Sequence, residues 1–332
     1  MPTVGLGGGG AVGVAFETTM GTYVAPTVWV PITNETFRYT EAKYYSPQIR
    51  QQTIVSDVEQ GYYHIEGDIV MEVDPNFLPY FLYASRHNIT KTGASAPFTY
   101  AFTPGSFASA GTAASGAVPR TLSITIIRNN VVFGYCGCVA GGYEFTETGG
   151  IDQVTFNMLG LTEAVQTLPT PAWIDPVLYG AATHAVYIDT AGLTPAFATA
   201  NTLHNGFTFR SNFNATAQNR IVRNRGATYI AFGETQAEYD TELDFLDRTE
   251  YDNYVNTSLR AFRYQSIHGG TDLPSSTDGW QVTCYRSAYD TYQVALGAMG
   301  DLVMATGVVG RAIGIAGGSA YKVEVKSAVN IS

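Results

Sequence analysis

Several groups of residues in this chain have the composition of reactive sites. Gly5-Leu6-Gly7-Gly8-Gly9-Gly10 satisfies the spacing Gly-x-Gly-x-x-Gly, in which missing side chains let a backbone approach a pyrophosphate. That chemistry also needs a full strand before the glycines and a helix after them. Only four residues precede Gly5, and the Thr-rich stretch behind Gly13 is a poor helix former, so the context argues against a nucleotide site. His64, His87, His184, His204 and His268 lack the i, i+4 pairing or cysteine neighbours of a zinc site and read as ordinary strand or loop residues. Cys136, Cys138 and Cys284 make neither a disulfide framework nor a metal quartet. They read as small packing residues, the first two on one face of a strand. No Gly-x-Ser-x-Gly pentapeptide offers a nucleophile elbow, and no Gly-rich run ends in Gly-Lys-Ser/Thr. No catalytic, cofactor or metal residue is therefore assigned.

Carboxylates are the densest chemical feature. They cluster at Glu234, Glu238, Asp240, Glu242, Asp244, Asp247, Glu250 and Asp252, which could in principle hold calcium or supply an acid and a base. The Asp-x-Asp-x-Asp-Gly loop of a calcium site is missing. On a strand, even spacing places Glu234, Glu238, Asp240, Glu242 and Asp244 on one face, a self-repelling row that must look onto water. It is either a solvated sheet face or the wall of a negatively charged channel. Arg220, Arg223 and Arg225 form a short basic loop, with Arg50 at the corresponding place in the first half. They either meet carboxylates of a neighbouring subunit or stay solvated.

The elements that must position these groups read as mainly β. Among 332 residues there are 35 Gly, 22 Tyr and 17 Phe, and charged residues are only 14%, a mixture that favours pleated, Gly-punctuated strands. Strand alternation runs through Phe37–Thr40, Tyr62–Val73, Phe98–Phe102, Leu122–Ile127, Val131–Tyr135 and Val154–Leu159. A hairpin turn falls at Arg128-Asn129-Asn130. The second half continues with Thr228–Leu243, Trp280–Tyr285, Tyr292–Leu296, Leu302–Gly310 and Tyr321–Val325.

An internal repeat organises these strands. Glu35-Thr-Phe-Arg38 and Phe207-Thr-Phe-Arg210 each open a strand, and a loop and a longer strand follow. Asp74 or Asp247 then starts a short helix as its N-cap, about three turns in the first case. The Phe37–Asp74 and Phe209–Asp247 intervals differ by a single residue. The expected organisation is an extended N-terminal arm over 1–35 with Gly5 and Gly7 in contact with a neighbour, a first unit over 36–168, a proline-rich irregular segment over 169–206, and a second unit over 207–332.

The formal charge of −10 argues against tight binding to a phosphate backbone, though not against DNA that passes without sticking. Arg38 is the first basic residue, and no apolar run approaches a membrane span. The expected place of assembly is a cytoplasm, with no membrane partner.

Gly13–Thr27, His64–Val73 with its helix through Tyr83, Gly233–Gln236 leading to Glu242–Asp252, and Gly310–Gly318 together resemble the major tail tube proteins of long-tailed bacteriophages, particularly actinobacterial siphoviruses. The resemblance implies two tandem tail-tube-like β-barrel or sandwich units, each with one short flanking helix. It implies rings joined edge to edge by their sheets and stacked through an N-terminal arm and long loops. Such tubes usually present six units per ring, so a duplicated chain implies a trimeric, pseudo-hexameric ring, with a hexamer as the alternative. Implied partners are the tape measure protein, the tail terminator, the distal tail protein and, in passage, DNA. The implied location is the virion tail, assembled in the host bacterial cytoplasm. Another β-rich virion or secretion-tube protein, or a carbohydrate-binding β-sandwich, are the alternatives from composition.

Overall fold

A computed structural model describes residues 10–47, 54, 57–105, 120–129, 131–148, 150–201, 204–219, 225–245, 247–295 and 303–331. The first half contains β1 (Ala11–Phe16), β2 (Val28–Val30), β3 (Asn34–Glu35), β4 (Arg38–Tyr45), β5 (Val58–Glu72), α1 (Leu78–Tyr83), β6 (His87–Thr92), β7 (Phe98–Pro104), β8 (Leu122–Arg128), β9 (Val131–Thr148), β10 (Ile151–Gly160) and β11 (Thr162–Val165). The second contains β12 (His184–Thr190), β13 (His204–Asn212), β14 (Thr216–Gln218), β15 (Tyr229–Ala231), β16 (Gln236–Asp244), α2 (Thr249–Val255), β17 (Arg260–His268), β18 (Asp278–Ala295), β19 (Met304–Ala312) and β20 (Tyr321–Ser327). Every strand pairing between these elements is antiparallel.

The pairing pattern of the first half recurs in the second. β1 pairs β8, β8 pairs β9, β9 pairs β10 and β11, and β10 pairs β5, which pairs β4. Likewise β12 pairs β17, β17 pairs β18, β18 pairs β19 and β20, and β19 pairs β16, which pairs β13. Even the irregularities correspond. A register shift follows Leu122 in β8 and Arg260 in β17. Another lets β9 skip a residue between Ala140 and Gly142, and β18 one between Tyr289 and Thr291. Bulges bend a strand, and here they let one long strand serve two sheet regions. β9 pairs β8 through its first half and β10 through its second; β18 does the same with β17 and β19.

This is why Val131–Tyr135, expected to be short, runs on to Thr148, and why Trp280–Tyr285 and the described part of the expected Tyr292–Leu296 strand lie in one strand, Asp278–Ala295. Thr228–Leu243 is instead broken into β15 and β16. Asn214 lies in the left-handed region (φ 47°) before β14, and among the described residues β14 and β15 pair only with each other. Two further expectations are corrected. The 1–35 segment holds β1 to β3, and β1 is buried between β2 and β8, where Gly13 admits the ring of Pro26: a Cβ there would come within 2.7 Å of it. The 169–206 segment is irregular only in part, because β12 joins β17.

The two halves share one sheet. β13 pairs β9 from Thr208↔Thr146 to Asn212↔Gly142, so β4, β5, β10, β9, β13, β16, β19 and the end of β18 are successive neighbours. The row Met71, Val154, Phe145, Phe209 and Tyr239 crosses it on the buried side. Phe145 also stacks on Trp280 at 4.5 Å between ring centres. Burial of each such side chain contributes about 1.5–3 kcal/mol. α1 covers this side in the first half, with Phe81 stacked on Phe156 at 4.9 Å.

Two buried polar hubs tie the halves together. His87 Nδ1 lies 3.4 Å from the Leu82 carbonyl, which leaves Nε2 to accept from Tyr143, 3.2 Å away; Tyr321 Oη is at 3.3 Å and is in turn 2.7 Å from Ser211 Oγ. Asp152, at the start of β10, accepts from Tyr264 Oη at 2.6 Å and Trp280 Nε1 at 2.9 Å.

Burial holds two imidazoles neutral, with the pKa of His87 pushed down to about 3 and that of His204 to about 4. In the unfolded chain both protonate near the ordinary value of about 6.5. The unfolded state therefore binds more protons across that window, and the stability present above it is lost as pH falls. Asp74 works in the other direction: burial raises its pKa to about 6, so lowering pH through 6 relieves a cost. Thermal melting from pH 7 down to pH 4.5 is expected to show a falling midpoint. The fall should be shallower in His204→Gln and steeper in Asp74→Asn.

Candidate channel face

The sequence of β16, Gln236-Ala-Glu-Tyr-Asp-Thr-Glu-Leu-Asp244, alternates cleanly. Ala237, Tyr239, Thr241 and Leu243 are buried, and Glu238, Asp240, Glu242 and Asp244 project from the opposite side. Those four share a face as expected. Glu234 does not join them, because it precedes the strand in the turn where its carbonyl accepts from Asn214 Nδ2 at 2.7 Å.

Register carries this face across both halves. Glu238 is flanked by Arg210 on β13 and Arg311 on β19, and Arg210 is flanked in turn by Glu144 on β9. Asp240 continues through Thr208, Thr146 and Gln153 to Glu72 on β5. Asp68 accepts from Asn157 Nδ2 at 2.6 Å, and Asn205 Nδ2 donates to Asp244 at 3.0 Å. The face is thus mainly hydrophilic, with Glu66, Asp68, Glu72 and Glu144 adding to the acidic row of β16 and Val70 and Val309 interspersed among them.

The row is less self-repelling than its spacing suggests. Arg210 Nε donates to Glu144 at 2.8 Å while its Nη1 lies 3.7 Å from Glu238; Arg311 is 3.1 Å from Asp290, and Arg38 3.9 Å from Glu66. These pairs are half-exposed, and exposed pairs contribute no more than about 1 kcal/mol each. Carboxylates still outnumber guanidinium groups on the face.

The other sequence-derived residues fall elsewhere. Gly5, Gly7, Arg50, Arg220 and Arg223 lie outside the described residues. Arg225 is engaged by its own chain: Nε donates to the Gly61 carbonyl at 3.0 Å, and the guanidinium also meets Gln60 and Glu41. Backbone bonds from Tyr63 N to Arg225 O and from Ala227 N to Tyr63 O, at 3.0 and 3.1 Å, fix that contact. The chain between β14 and β15 thus lies against β5, where Tyr63 and Gly226 form a bridge. Neither aspartate is an N-cap. Asp74 is three residues before the cap position Phe77 and closes a turn instead, accepting from Asn76 N and Val177 N. Asp247 accepts from Thr249 N at 2.8 Å but sits one residue before the cap Arg248. α1 is six residues rather than three turns, since the chain must reach β6 at His87. Cys136, Cys138 and Cys284 are buried free thiols, and burial raises the pKa of each.

Sequence reasoning missed Arg210 and Glu144, the pair that joins the two halves on this face. Half of the signal was present, since Arg210 and Arg38 end the two matching Thr-Phe-Arg stretches. Glu144 belongs to the part of β9 that lay beyond its expected end.

A single unbroken sheet, apolar toward a helix-covered core and acidic on its open side, occurs here with a match to a family model. That model, described as phage tail tube protein, matches residues 7–311. The chain belongs to the phage tail tube protein family. No curated protein matches it. As a tail tube protein it has a structural role, self-assembling into the tube of the virion tail and associating with other tail proteins.

In this tail tube protein the two sides of one strand carry separate loads. Phe209→Ala is expected to cost about 3–5 kcal/mol through the cavity it leaves, and Arg210→Ala less than about 1 kcal/mol. Urea unfolding of the two variants measures both; equal losses would contradict this assignment.

Proposed function

We propose that three copies of this chain close a pseudo-hexameric ring, that rings stack into a non-contractile siphovirus tube, and that the acidic face lines its lumen. The observation that carries this reading is the β9–β13 pairing, which joins two equivalent sheet units side by side with their polar faces on one side. The first tube domain spans 36–168 and the second 207–332. Each recruits an upstream strand, β1 from the arm over 1–35 and β12 from the connecting segment over 169–206.

Three chains would bring eight sheet neighbours each, or twenty-four strands. At about 4.8 Å between strands and tilts of 35–45°, such a barrel measures roughly 45–50 Å across its backbone. Barrels of about 16–18 strands already leave an aqueous channel, so this one has room for a duplex. Carboxylates on the wall repel DNA phosphates and keep the genome from lodging. The tape measure protein would occupy the lumen before ejection, with the tail terminator and distal tail protein at the two ends and assembly in the host bacterial cytoplasm.

Cryo-electron microscopy of assembled tubes tests the ring number and the facing of β16; a lumen lined by another surface would overturn the reading. Phage carrying Glu238→Lys with Asp240→Lys are expected to build tails of normal length and to release DNA more slowly. Unchanged release kinetics would remove the lumen role from these residues.

A further inference from the structure

The internal junction is a template for the contact between copies. Counting along the chain, equal steps carry Arg38 onto Arg210 and Glu66 onto Glu238, and both pairs face each other across their hairpins. Two further steps, one that carries β10 onto β19 and another that carries β9 onto β18, place Leu159↔Val139 on Arg311↔Ala288 and Asn157↔Gly142 on Val309↔Thr291, with the skipped residues Gly141 and Asp290 in correspondence. The two halves therefore correspond residue by residue along these strands as far as Val309↔Thr291, beyond which β19 carries one residue more than β18 before Gln293↔Thr306. In the first half, the later part of β9 is paired on both sides, by β10 and by β13. Its counterpart in the second half, Thr291–Ala295 of β18, is paired only by β19 among the described residues. The counterpart of β13 is the segment 32–40, which takes in β3 and the start of β4, and among the described residues these two strands pair only with β5.

We infer that the β4 edge of one copy pairs with Thr291–Ala295 of β18 in the next copy, in the register of the β9–β13 junction. This rests on the tube reading and names its ring contact. Phe209↔Phe145 becomes Phe37↔Val294, Arg210↔Glu144 becomes Arg38↔Gln293, Ser211↔Tyr143 becomes Tyr39↔Tyr292, and Asn212↔Gly142 becomes Thr40↔Thr291.

Exposure supports this register. Val294 is 38% exposed where its counterpart Phe145 is fully buried, and Tyr39 is 38% exposed on the side that faces the core in the other half. Both are apolar groups left uncovered at an edge that would bury them in the joint. On the polar side Arg38 is 71% exposed, held only by Glu66 at 3.9 Å. Arg210 has a carboxylate across its junction, whereas Arg38 would meet the amide of Gln293. The contact between copies therefore lacks the ion pair of the internal one and depends on backbone hydrogen bonds and apolar burial. It is a head-to-tail contact, the kind that closes rings.

Opposed residues of antiparallel strands come close enough for a disulfide, whereas pairs displaced by two residues are about 7–8 Å apart and do not. Full-length Thr40→Cys/Thr291→Cys protein, assembled and then mildly oxidised, should give covalent dimers and a closed trimer on a non-reducing denaturing gel. Thr40→Cys/Gln293→Cys should not. Tubes that form without the matched cross-link, or with the displaced one instead, would overturn the inference while leaving the tube reading intact. Failure of the unmodified protein to form tubes, even with tail initiation proteins supplied, would overturn the tube reading itself. As a second arm, Val294→Asp should keep the circular dichroism spectrum and melting point of the folded monomer and lose ring formation. Normal tubes from Val294→Asp would count against the contact.

Discussion

A β-strand satisfies its backbone polar groups only when both of its edges are paired, and that requirement organises this molecule. The chain meets it at its centre by laying β13 against β9. One junction thereby aligns Phe145 with Phe209 on the buried side and Glu144 with Arg210 on the other. The core, the helix that covers it and the acidic wall all take their positions from that alignment. His87 and Asp152 act as its polar anchors, both enclosed: His87 meets Tyr143 of the first half and Tyr321 of the second, and Asp152, itself in the first half, meets Tyr264 and Trp280 of the second. A buried carboxylate or imidazole without such partners would be costly, so these hubs also specify how the halves fit.

The mainly β class and the recurrence of one strand pattern were legible because both rest on local signals: alternation in β5, β10 and β16, and the repeated Thr-Phe-Arg opening. What remained hidden depends on tertiary context. The long strands β9 and β18 contain glycines and irregular stretches that read as ends of strands, yet bulges carry them from one sheet region to the next. β1 reads as a flexible arm because Ala11-Val-Gly-Val14 has little side-chain bulk, whereas small side chains are what a strand enclosed by β2, β8 and Pro26 requires. Arg225 reads as a surface charge because nothing in a linear sequence announces that its segment lies against Gly61 and Glu41. Even spacing placed four carboxylates of β16 correctly, since strand period alone decides that. It misplaced Glu234 where the strand had already ended.

The charged face contributes little to stability, and this fits its composition. Half-exposed ion pairs are weak, and the apolar row on the reverse side of the same strands supplies the larger share. Charge can therefore vary on one side of the sheet without threatening the fold.

The two halves match along their shared sheet and diverge away from it. α1 is enclosed, whereas α2 has no fully buried residue and presents Tyr251 and Tyr254 beside β18; among the described residues the β6–β7 hairpin has no counterpart in the second half. In the proposed ring of three chains the strand backbone around the bore would repeat at every sixty-degree step, while the exterior would repeat only every hundred and twenty degrees. Anything that gripped the outside of such a ring would find half as many equivalent footholds as the bore has repeats of its backbone.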